Sequence, residues 1–164
     1  MVSGSQGLSE PRAGCRGEKG FCQKTMHPKN INYQETNMDD ERIEERIARK
    51  AKNNELPCAV AFDLAQQLNM SPGKMGRQAD RMKLRLVKCQ LGLFGYLPEK
   101  KIVKPADTVA PELEAAIRNA QENDRLPCAA AWQVAEKFKI GKMSVSAACE
   151  TLGIKIKPCQ LGAF

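Results

Sequence analysis

The chain holds a single histidine, His27, near its N-terminus, and that scarcity removes the commonest general base from any folded core. It also lacks a Gly-x-x-x-x-Gly-Lys-Ser/Thr loop, a Gly-x-Gly-x-x-Gly after a strand and a Gly-x-Ser-x-Gly elbow, so nucleotide-dependent and acyl-transfer chemistries have no motif to stand on. Acidic residues fall as alternating surface charges instead of paired carboxylates, and the chain is expected not to be an enzyme. Aromatic residues make up only 5% while 42% are hydrophobic and 27% charged, a balance that suits a helix-rich globular protein. No apolar run approaches the ~20 residues that span a bilayer. No apolar stretch follows the N-terminal charges either, so no secretory leader is expected and the chain is assigned to the cytoplasm with its thiols reduced.

What the chain does have is an internal repeat. Residues 56–94 align with 126–164 without a gap: Leu-Pro-Cys-Ala at 56–59 recurs at 126–129, Cys-Gln-Leu-Gly at 89–92 recurs at 159–162, and eleven of the 39 pairs are identical. Two copies are too few for a solenoid, so two similar modules in tandem are expected. The division is a lead-in over 1–36, a first module over 37–97, a linker over 98–108 and a second module over 109–164. The lead-in shows no helical or alternating period and reads as disordered. It carries Cys15, Cys22 and His27, half a zinc site at most, and Met26 or Met38 is an alternative start.

Within the first module, a helix from Asn37 carries acidic residues in its first turn and buries Ile43, Ile47 and Ala51. A second helix from Pro57 to about Asn69 turns Ala61, Ala65 and Leu68 inward. Ser71 then caps a third helix opening at Pro72 and burying Met75, Ala79 and Met82. Leu84 and Leu86 alternate with basic residues as in a strand. The second module repeats this with Leu113 and Ile117, then Ala131, Ala135 and Phe138, then Val145, Cys149 and Leu152, then Ile154 and Ile156. The fold class is therefore mainly α with short β, an α+β arrangement of about three helices and a short strand or hairpin in each module.

Two short helices across a tight break, with a helix before and a strand after, resemble the helix-turn-helix in its winged-helix form. The resemblance covers 39–94 and 109–164 and rests on Ala65, Leu68, Met70, Ser71, Pro72, Met75, Ala79, Met82 and Leu84. It implies that the third helix is a recognition helix presenting Ser71, Lys74, Arg77, Gln78 and Arg81. Lys83, Arg85 and Lys88 continue the cationic stripe toward phosphates. Charge singles out one module: 37–104 holds 14 basic against 9 acidic residues, whereas 105–164 holds 7 of each. The matching face of the second module, Gly141, Ser144, Ala147, Ala148 and Thr151, is uncharged.

The expected function is a DNA-binding transcriptional regulator acting through the first module, with DNA as partner, a protein partner open to the neutral second module, and no cofactor. Two other readings stand beside it. One is a non-catalytic interaction or enzyme-accessory module. The other is a zinc, iron–sulfur or redox-sensing protein using Cys58, Cys89, Cys128 and Cys159, which would meet in one tetrahedral site only if folding joined the two modules. Cys58, in the first turn of its helix, is expected to have a depressed thiol pKa. The plainer reading is that these four cysteines fill the core.

Overall fold

A computed structural model describes the backbone of residues 33–164 and the side chains from Asp40 onward. Residues 1–32, with Cys15, Cys22 and His27, lie outside the described residues. The chain is α+β: helices joined by very short strands, with residues 34–164 forming one compact body. No helix among the described residues is long and apolar enough to cross a membrane.

Helix α1 (Tyr33–Lys50) begins four residues before the expected start at Asn37, so residues 33–36 of the expected lead-in are helical. Ile47 is its fully buried anchor. Asn53 and Asn54 then adopt positive φ of 53° and 58°, and the bridge between Lys52 and Glu55 closes around them. Asn tolerates this left-handed geometry better than other side chains do, because its short amide can bond locally. The turn delivers β1 (Glu55–Pro57), which leads into α2 (Cys58–Gln67). Pro57 stands as the N-cap, not within the first helical turn, and its missing N–H is no loss there.

Leu68–Ser71 break the chain before α3 (Pro72–Arg81). Ser71 caps α3 by accepting from the Lys74 N–H at 3.3 Å, and Pro72 supplies the first-turn proline. Met75 and Ala79 are buried as the period requires. Lys83, at φ 56°, turns the chain into β2 (Arg85–Val87), which pairs parallel with β1, Leu56 facing Leu86. The strand after α3 thus returns beside the strand before α2, and the α2–α3 pair is the crossover between them.

The same succession follows seventy residues on: α4 (Pro111–Asn119), β3 (Arg125–Leu126), α5 (Cys128–Phe138), α6 (Lys142–Thr151) and β4 (Lys155–Ile156), with β3 and β4 parallel. Asn123 and Asp124 repeat the positive-φ turn, and Gly153, at φ 69°, stands where Lys83 does. α4 has half the length of α1 and opens at Pro111 with Glu112 and Glu114 in its first turn.

Two apolar clusters hold the body together, and each borrows from the other half of the chain. Cys89 and Leu91 pack with Ile117, Leu126, Val145 and Cys149, whereas Leu161 and Cys159 pack with Ile47, Leu56, Ala61 and Met75. Phe62 and Trp132 meet across the junction with ring centroids 4.4 Å apart. Gly76 in α3 is where the exchanged C-terminal segment crosses: a Cβ there would lie 1.8 Å from the Leu161 carbonyl oxygen. Its counterpart seventy residues on, Ser146, is wholly buried, and its hydroxyl has no hydrogen-bond partner.

Candidate nucleic-acid interface

α3 is amphipathic in the strict sense. Met75, Gly76, Gln78 and Ala79 face inward, which leaves Lys74, Arg77, Asp80 and Arg81 in water. Lys83, Arg85 and Lys88 are also exposed on the stretch through β2, alternating with the half-buried Leu84 and Leu86. Ser71 is exposed, its hydroxyl engaged as the α3 cap.

Gln78 departs from expectation. It is only 5% exposed, and its amide donates to Glu44 Oε1 at 2.8 Å while its carbonyl oxygen accepts from Arg81. The reason is packing. α1 crosses beside α3, so the position next to Ala79 looks into the α1–α3 seam instead of outward. Gln78 therefore ties two helices together and is removed from the set of groups able to reach a base edge.

The α1–α3 seam also modulates the cations. Arg81 pairs with Asp40 at 3.1 Å, and Arg85 with Glu55 at 3.5 Å, all four side chains more than a third exposed. Exposed pairs of this kind are worth about 0–1 kcal/mol, so neither holds its arginine tightly. Lys74, Arg77, Lys83 and Lys88 have no ion-pair partner among the described residues.

α6, the counterpart of α3, is not open in the same way. The segment between β2 and α4 lies along it: the Ala106 N–H donates to the Ala147 carbonyl at 3.2 Å, the Thr151 hydroxyl donates to the Ala106 carbonyl at 2.7 Å, and Lys101 pairs with Glu150 at 2.5 Å. Ala148, expected on the outer face, is buried. Nothing in the composition of 98–108 signals this docking. Its anchors are backbone groups, a single hydroxyl and one lysine–glutamate pair.

The four repeated cysteines gather in two pairs near the junction of the halves. Cys58 and Cys128 open α2 and α5, and Cys89 and Cys159 follow β2 and β4; the Cys128 N–H donates to the Pro158 carbonyl at 3.1 Å, which brings Cys159 alongside. The Cys58 thiol faces Cys89, and Cys128 faces Cys159. Cys58 does not have the depressed pKa expected from its place at a helix N-terminus. Its hydrogen bond to Cys89, together with burial, raises it, and the same holds for Cys128 against Cys159. The receiving sulfurs move the other way, Cys89 and Cys159 both falling to about 6 because their partners' thiols and several backbone N–H groups stabilise the thiolate. Among the described residues no group of three or more Cys, His, Asp or Glu side chains is placed to hold a metal ion.

Lys142, a residue without special standing in the sequence, sits at this junction. Its ammonium lies 3.2 Å from the centroid of the Trp132 ring and donates to Gln90 Oε1 at 2.7 Å. Burial lowers its pKa, opposed by the nearby Cys58 and Cys128 sulfurs.

No protein-family model, curated protein or solved structure matches this chain. The functional reading therefore rests on the geometry of the chain itself.

Proposed function

We propose that the chain is a DNA-binding regulator of two tandem helix-turn-helix-like modules, in which α3 enters the major groove and α6 does not. The observation that carries this reading is the contrast between equivalent helices. α3 presents Lys74, Arg77 and Arg81 in water, whereas the docked segment on α6 engages Ala147, Thr151 and the acidic Glu150, with no cation offered there. Arg77 and Arg81, one turn apart, have the fork that bonds guanine O6 and N7, while Lys83, Arg85 and Lys88 lie further along the same stripe for phosphate contact. The parallel β1–β2 pair takes the place that an antiparallel wing hairpin has in winged-helix proteins, so the likeness is carried by α2, the break and α3. A cytoplasmic setting with reduced thiols belongs to the same reading.

The test is titration of the full chain against random and genomic DNA fragments at several salt concentrations. Affinity is expected to fall steeply with salt, and Arg77→Ala/Arg81→Ala is expected to weaken binding by at least ~10-fold and to relax sequence preference, whereas Lys83→Ala/Lys88→Ala should reduce the log–log salt slope by about 2. Thermal unfolding of the arginine variant should show a loss of only about 1–2 kcal/mol, from the exposed Arg81–Asp40 pair and the Arg81 hydrogen bond to Gln78. Equal affinity of variant and parent for every fragment would refute the assignment of α3.

A further inference from the structure

We infer that the β3–β4 pair carries a nucleic-acid surface separate from α3, one that holds single strands by stacking bases on Phe94 and Phe164 and pairing phosphates with Arg125, Lys155 and Lys157. The inference starts where the two halves of the repeat disagree. Glu55 and Arg85 are register partners in the first strand pair and neutralise each other, whereas seventy residues on the partners are Arg125 and Lys155, two cations side by side. Val87, buried, is matched by Lys157, exposed. None of Arg125, Lys155 and Lys157 has an ion-pair partner among the described residues. Like charges set opposite each other destabilise a strand pair, so the arrangement costs stability until an anion bridges it. The equal count of 7 basic and 7 acidic residues over 105–164 hides this clustering.

Apolar side chains stand among the cations. Phe94, Phe164 and Ile156 join them in lining a cleft of about 450 Å³. The two phenyl rings, both half-buried, meet edge-on with centroids 5.6 Å apart and an interplanar angle of 79°. In such a pair the ring that presents its edge keeps its faces clear of the other, and a base of any identity can stack on it. Of the carboxylates nearby, Glu150 is held by Lys101 at 2.5 Å, and Glu122 borders the adjoining hollow beside Arg125 and Lys157. Phe94 also lines a second cleft, of about 490 Å³, toward the first half, where Lys88, Tyr96 and Lys100 stand. Cations therefore flank aromatic rings on both sides of Phe94. A groove of that kind tracks a flexible backbone with splayed bases, whereas a duplex keeps its bases stacked inside and offers the rings nothing. α3 has the opposite need, the paired base edges of a major groove.

The experiment follows the fluorescence anisotropy of labelled oligo(dT), about 20 nucleotides long, against the full chain at several salt concentrations. Arg125→Ala/Lys155→Ala/Lys157→Ala is expected to weaken binding by at least ~10-fold and to reduce the log–log salt slope by about 2, since each phosphate contact to a single strand contributes roughly 0.7. Phe164→Leu is expected to weaken binding about 5- to 100-fold with the slope unchanged, and Phe164→Tyr, which keeps an aromatic face, to restore most of that loss. Equal affinity of the triple variant and the parent overturns the inference. So does equal weakening by both substitutions of Phe164, which would mean packing instead of stacking. Polyphosphate of matched length that displaces the label as well as unlabelled oligo(dT) does also overturns it, because charge alone would then suffice. Loss of oligo(dT) binding in Arg77→Ala/Arg81→Ala but not in the triple variant would place single strands on α3, overturning this surface and leaving the α3 assignment standing.

Discussion

At the scale of single residues, chemistry and packing pull identical side chains in opposite directions. Cys159 and Cys149 are both cysteines of the second half, yet hydrogen bonds bring Cys159 down to about 6 while burial pushes Cys149 up to about 12. A lowered value means that the thiolate persists as pH falls, and reactivity is lost only below it. In the metal-free reduced protein, alkylation of half-buried Cys159 should therefore be flat above about pH 7 and drop about tenfold per unit below 6, with Cys149 unlabelled until unfolding. Mass spectrometry across pH reads both, and a Cys159 rate still climbing near pH 9 would mean an ordinary thiol. Gly76 is constrained by shape instead of charge. Gly76→Ala should cost about 1–3 kcal/mol in chemical denaturation, because the obstacle is the Leu161 backbone and not a side chain free to swing away.

At the scale of elements, α3 and α6 show how similar apolar patterns end in different surroundings. The inward residues Met75 and Ala79, and Val145 and Cys149, were legible from their period, as were the Ser71–Pro72 start and the strand alternation after α3. The Asn53–Asn54 and Asn123–Asp124 turns were legible in principle, since paired Asn or Asp between structured runs is a positive-φ turn signal. The burial of Gln78 was not, because it depends on how α1 lies against α3, which no local pattern encodes. The segment docked on α6 predicts a dissociation of effects. Thr151→Val keeps the shape and removes the bond to Ala106, so it should cost about 1 kcal/mol of stability and leave DNA affinity unchanged. Arg77→Ala, whose side chain is exposed, should do the reverse; a loss of affinity in Thr151→Val would place α6 in the interface.

At the scale of the whole molecule, the halves are interlocked instead of merely adjacent. Leu161 is buried among Ile47, Leu56 and Met75, far from it in sequence, and Leu91 is buried in the opposite cluster. Leu161→Ala should therefore cost about 2–5 kcal/mol, and the loss should appear as one cooperative transition that includes the first half. Hydrogen exchange of α2 and α3 checks this. Unchanged protection there, with loosening confined to the C-terminal residues, would show that the clusters are independent. The interlock also explains why Leu-Pro-Cys-Ala and Cys-Gln-Leu-Gly are the segments that the halves share most closely. They form the junction, where Leu56 with Leu161, and Leu126 with Leu91, must fit the same cross-over twice.

The amino-acid sequence by itself determined the helices, their inward stripes, the repeat and the cationic stripe on α3, because each of these depends on neighbours within a few residues or on self-similarity along the chain. Tertiary structure alone decided that Gln78 is a helix tie, that α6 lies beneath the connecting segment and that each half completes the other's core. Those outcomes turn on contacts between segments distant in sequence. Their distances and angles are set by the packing of the whole body, and no local period records them.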